Sequence, residues 1–234
     1  MPHIVKSFDD ELKQLTALIA EMGGRVEKQL FQALKALTMR DSEMAQQAVG
    51  SDKNIDHLEH EIADFAVKIL ARRQPMAQDL REVVAVIKIS SDLERIGDYA
   101  KNIAKRALIL NELSPLKPIS SIPRIGKLAG DIVAQVIGAY VAKDMDRAVA
   151  AWRQDEEIDA MYASLFREML TYMMEDPRNI GPCTHLLFIA KNIERIGDHA
   201  TNIAEIVHYL ITGKNLEEER PKRDNTNLNI GMNE

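Results

Sequence analysis

The chain has 234 residues, of which 46 % are hydrophobic and only 5 % aromatic, and it carries a formal charge of −6. Ala, Leu, Ile, Met, Glu and Lys dominate, a composition that favours packed helices and argues against an all-β fold. The acidic balance and the lack of any Lys/Arg run leave no electrostatic footprint for nucleic acid.

A first long helix is expected over residues 8–37. A second starts after Asp41, a good N-cap, and carries Ile55, Leu58, Ile62, Phe65 and Ile69 at spacings of three and four before stopping near Pro75. The third has the longest seam: Val86, Ile89, Leu93, Ile96, Ala100, Ile103, Ala107 and Leu110. The chain then repeats itself. Residues 89–104, ISSDLERIGDYAKNIA, match residues 189–204, IAKNIERIGDHATNIA, at ten of sixteen positions. Upstream, the segment ending at Asp56 aligns with the one ending at Asp159. A fourth helix over 122–142, a fifth after Asp144 that stops near Pro177, and a sixth with the seam Leu186, Ile189, Ile193, Ile196, Ala200, Ile203, Val207 and Leu210 complete the second copy.

These patterns predict an all-α fold of six helices in two tandem, pseudo-symmetric three-helix bundles, giving an elongated molecule. The first bundle is expected over 1–113, a linker with three prolines over 114–123, the second bundle over 124–214, and a charged, Asn-rich tail without apolar periodicity, expected to be flexible, over 215–234.

Acids recur at spacing four in corresponding places of the four motif-bearing helices: Asp52 with Asp56, Glu94 with Asp98, Asp155 with Asp159, and Glu194 with Asp198. Residues four apart share a helix face, so each pair presents two hard oxygen donors side by side. Asn102 and Asn202 extend the third-helix stripes by one turn, and Arg95 and Arg195 can neutralise neighbouring acids or meet a partner. Like charges at this spacing cost a helix roughly a few tenths of a kcal/mol, which calls for a cation, a basic partner or a cap; solvated acidic faces are the plainer reading. Gly97 and Gly197 sit inside helices, where glycine costs about 1 kcal/mol relative to alanine, so a neighbouring helix is expected to approach closely there. Histidine contributes no shared ligand: His199 follows Asp198 where the first copy has Tyr99. Only Glu205 and His208 form a Glu-x-x-His pair, short of what a di-iron carboxylate bundle needs. Met161, Met169, Met173 and Met174 read as core filler. No nucleophile, phosphate-loop or dinucleotide motif is present, so an enzyme is not expected; a metal-dependent carboxylate-bundle hydrolase or oxidase is the competing possibility.

The duplicated Glu-Arg-Ile-Gly-Asp with Asn four residues later, preceded in each half by an acidic pair, resembles the PhoU family over residues 8–212. The resemblance implies two similar three-helix bundles. It also implies metal ions, with iron, zinc, magnesium or manganese as candidates, held at Asp52, Asp56, Glu94, Asp98, Asp155, Asp159, Glu194 and Asp198. It implies a negative regulator of the phosphate regulon, acting between the ATPase subunit of the phosphate ABC transporter and the regulon's sensor histidine kinase. It further implies a homodimer; the accessory protein of low-affinity phosphate transporters is the near alternative. The single Cys183, which allows no internal disulfide, and a Met-Pro-His start without a signal-like segment point to the cytoplasm. Charges interrupt the apolar stretches short of the roughly 18 residues of a membrane span, so membrane contact is expected only through protein partners.

Overall fold

The structure, a computed structural model, describes residues 6–114 and 121–217. The middle of the expected linker and most of the expected tail lie outside the described residues. Six long α-helices follow in order: α1 Lys6–Met39, α2 Ser42–Arg73, α3 Gln78–Glu112, α4 Ser121–Ala142, α5 Met145–Glu175 and α6 Ile180–Thr212. A 3-10 turn, Pro177–Asn179, precedes α6. Among the described residues there is no strand.

The duplication is visible in the turns. Arg40 and Lys143, at equivalent places, adopt left-handed backbone with φ of 54° and 52°. Each is followed by the aspartate that caps the next helix. Asp41 accepts from the Met44 amide at 2.9 Å and Asp144 from the Arg147 amide at 3.0 Å, each satisfying one of the donors a helix start leaves open. Ser121 opens α4, so Pro123 stands in its first turn, where a fixed φ and a missing N–H are tolerated.

All sixteen residues of the α3 and α6 seams are buried. In α2 the spacing was slightly misleading: Ala66 is fully buried, whereas Phe65 packs half-buried at the edge. The methionines of α5 divide the same way, with Met169 in the core, Met161 and Met173 against its rim and Met174 exposed.

The bundles do not string out along the linker. They lie side by side, α3 along α6 and α1 along α4, and a single apolar core runs through both. The α3–α6 pair is antiparallel: Arg81 lies beside Gly213, Tyr99 beside His199 at 5.6 Å between rings, and the Arg106 guanidinium 4.0 Å over the Phe188 ring. α4 alone among the described helices is long and apolar enough by composition to cross a bilayer, and half of that window is buried inside the fold.

Candidate functional site: two carboxylate clusters at equivalent helix seams

The glycines explain how acids on neighbouring helices come together. A Cβ on Gly97 would lie 3.2 Å from Ile55 of α2, and one on Gly197 would lie 2.3 Å from the Asp155 carboxylate of α5. Bare backbone at these two positions lets α2 settle against α3 and α5 against α6, as expected for a close helical neighbour. Each seam therefore brings two acids from each helix into one electrostatic neighbourhood.

In the first cluster Asp52 is buried and Asp56, Glu94 and Asp98 are half-buried. Lys101 stands among them, donating to Asp52 Oδ2 at 2.5 Å and to Asp98 Oδ1 at 2.6 Å. Burial works against the Lys101 charge, but the hydrogen bonds to Asp52 and Asp98 outweigh it and raise its pKa above the ordinary lysine value. Burial, helped by Asp52, pushes the Asp56 carboxyl up, with Lys101 opposing. Burial and then Asp98 push Glu94 up, with Arg95 opposing. Arg95, more than half exposed, lies 3.6 Å from Glu94 and 3.7 Å from Asp98.

The second cluster is deeper and differently compensated. Asp155, Asp159 and Glu194 are buried and Asp198 is half-buried. Thr201 occupies the place of Lys101 and turns back to donate to the Asp198 carbonyl at 2.7 Å. The nearby cation is instead Lys191, which donates to Glu194 Oε1 at 2.8 Å. Burial raises the Glu194 carboxyl; Lys191 draws it back, while Asp198 and Asp159 add to the rise. Glu194 Oε2 is buried and accepts no hydrogen bond among the described residues, a costly state for a carboxylate oxygen.

Two of the expected auxiliary residues lead elsewhere, as does the Glu-x-x-His pair. Asn202 faces across to α3 and donates to Asp92 at 3.4 Å, next to His199, whose Nδ1 is 2.7 Å from the same oxygen. Arg195 reaches the Tyr99 hydroxyl at 3.3 Å, while Glu205 accepts from the Trp152 indole at 3.0 Å and His208 lies against the Lys214 carbonyl. The Glu-x-x-His pair is thus committed to packing. Asp92, Tyr99 and Trp152 are the polar residues that sequence reasoning missed. Asp92 and Tyr99 sit in the duplicated motif exactly where its two copies differ, and that difference was the available signal.

The PhoU domain family model matches residues 19–107 and 122–207, one match to each bundle. The chain belongs to the PhoU family. A relative from Caulobacter vibrioides named "Phosphate-specific transport system accessory protein PhoU homolog" is 52 % identical over 223 residues, covering 95 % of this chain and 97 % of its own. A protein of the same name from Rhizobium meliloti is 49 % identical over 225 residues, covering 96 % of this chain and 95 % of its own. The crystal structure of PhoU from Pseudomonas aeruginosa superposes with a TM-score of 0.86 at 40 % identity, over 88 % of this chain and all of that one. The phosphate transport system regulatory protein PhoU from Streptococcus pneumoniae gives 0.83 at 32 % identity, over 90 % of this chain and all of that one.

The chemistry of the PhoU clusters is oxygen only. It suits a hard cation such as magnesium, manganese or ferric iron better than zinc, which draws on His nitrogen and Cys sulfur. Among the described residues no three of these side chains converge closely enough to hold an ion as they stand. In the first cluster the Lys101 ammonium already supplies a cation. The second, with its orphaned Glu194 Oε2, has the donor set that a hard cation would complete.

Proposed function

We propose that this chain is an accessory regulator of phosphate-specific transport that represses the phosphate regulon when phosphate is plentiful. The observation that carries the reading is the relationship to proteins of that name at about half identity over nearly the whole chain, together with both copies of the acidic seam. It acts in the cytoplasm as an adaptor and not as a catalyst, docking on the transporter's ATPase subunit and on the sensor histidine kinase.

The second cluster, Asp155, Asp159, Glu194 and Asp198, is the stronger candidate for a divalent or trivalent hard cation, with Asp52, Asp56, Glu94 and Asp98 a lysine-compensated counterpart. Such an ion would supply positive charge to the α5–α6 seam and tie the two helices together. The test is a phosphate-starvation reporter assayed in phosphate-rich medium. Activity that rises when the gene is deleted and falls when it is restored supports the regulator; activity unchanged by deletion overturns it.

A further inference from the structure

A groove of about 690 Å³ runs between α3 and α6, toward the end where α3 begins and α6 stops, a volume in the range that encloses a small organic ligand. Its α3 wall, formed by Arg81, Val84, Ala85, Lys88 and Asp92, follows the three-and-four spacing of one helical face. Arg81 lies at one end of this wall, beside Gly213. Asp92 lies at the other, about 16 Å along the axis, beside His199 and Asn202. The groove is therefore basic at one end and acidic at the other.

The basic end is placed but unpartnered. The Arg81 guanidinium packs over Gly213, where an added Cβ would lie 3.4 Å from Nη1. The side chain nevertheless makes no hydrogen bond among the described residues, and its Nε is buried. A cationic donor withdrawn from water without an acceptor is costly. Lys88, two turns further along the same face, has no ion-pair partner among the described residues either, although Asp92 follows it by four residues. Asp92 is engaged by His199 and Asn202 instead, and Glu205 by the Trp152 indole. Between the two cations stand the short side chains of Val84 and Ala85, which leave the groove open there, with Ile206 and Tyr209 of α6 across from them.

We propose that this groove binds a small phosphate ester, with its phosphoryl group held between Arg81 and Lys88. The planar fork of arginine matches two phosphoryl oxygens and the lysine adds a point charge, so a dianion meets two cations without displacing an existing pair. A monoanionic carboxylate would neutralise only one of them. The organic part of the ester fills the rest of the groove, which is far larger than a bare phosphate ion. Its hydroxyl groups donate to the carboxylates of Asp92 and Glu205, which repel a second phosphoryl group, and an aromatic ring can stack on Tyr209, 40 % exposed. This site is separate from the carboxylate clusters and does not depend on the regulatory reading.

The experiment is isothermal titration calorimetry on the full chain, with adenosine monophosphate, adenosine and inorganic phosphate as titrants. A chelator is present so that no metal at the carboxylate clusters captures phosphate. Arg81→Gln and Lys88→Gln variants are titrated alongside, with circular dichroism to confirm folding; Lys88 is exposed, so its variant leaves the packing undisturbed. Adenosine monophosphate is expected to bind with a Kd below about 1 mM, adenosine to give no binding, and each variant to bind the monophosphate at least about tenfold more weakly. No binding of the monophosphate, equal binding of adenosine, or an affinity unchanged in both variants would overturn the proposal. Inorganic phosphate bound as tightly as the monophosphate would overturn the ester in favour of the free ion. The reporter assay reads the regulatory role separately, so failure here leaves that role standing.

Discussion

Lys101 of α3 donates to Asp52 of α2 at 2.5 Å, and the second copy of the motif has no equivalent, because Thr201 holds that place and bonds its own helix. Two exchanges between the duplicated halves, Lys101 for Thr201 and Ser91 for Lys191, thus accompany two differently compensated clusters, one bridged by a lysine between α2 and α3 and one with an orphaned carboxylate oxygen. Replacing Lys101 by Met should leave the buried Asp52 charge without its main counter-charge. Since Lys101 is 22 % exposed, the expected loss is nearer about 2 kcal/mol than the larger cost of breaking a fully buried pair. Arg95→Ala, at an exposed position, should stay within about 0.5 kcal/mol. Urea unfolding midpoints of the two variants check the contrast.

Glycine substitutions should separate close approach from helix propensity. Gly197→Ala drives a methyl to 2.3 Å from the Asp155 carboxylate and 3.0 Å from Ile158, and should cost about 1–3 kcal/mol through overpacking. Gly50, inside α2, has nothing within 4 Å of an added Cβ. Gly50→Ala should therefore stabilise by about 0.5–1 kcal/mol through propensity alone. Thermal denaturation of both variants is sufficient, and a stabilising Gly197→Ala would show that α5 and α6 are not held as close as described.

How far the sequence could be read follows from what each signal encodes. The α3 and α6 seams, the Asp41 and Asp144 caps and the tight passages at Gly97 and Gly197 are local or periodic features, and the residues state them directly. The side-by-side packing of the bundles is not local. A helix with apolar residues on two faces says that it needs two neighbours without saying which, so α3 against α6 was not foreseen. The same gap misdirected Asn202 and Arg195: both follow the motif's spacing, yet they sit on the face turned to the other bundle, where Asp92 and Tyr99 are the available partners.

Cys183 is buried and its burial raises the thiol pKa, so little reactive thiolate should form at neutral pH. Its modification by a thiol reagent in the native protein should be at least about tenfold slower than in urea-unfolded chain. Equal rates in the two states would place Cys183 outside the α6 core.

Glu194 should govern a measurable pH dependence of stability. Burial raises its carboxyl in the folded state, Lys191 opposes, and Asp198 and Asp159 add to the rise, while the unfolded chain titrates near the ordinary value of about 4.3. The folded state therefore takes up the proton first. In chelator, stability should increase as pH falls from neutral through the raised pKa and level off below about 4.3. Glu194→Gln removes this contribution: the variant should be more stable than the wild type at pH 7 by about 1 kcal/mol, with the gap closing as pH falls. Added manganese or magnesium should reverse the order at pH 7, since an ion held at the second cluster stabilises only the chain that keeps its carboxylate. Unfolding curves with and without the ion measure both effects. A pH-dependent gap that no metal reverses would leave Glu194 a buried structural acid paired with Lys191.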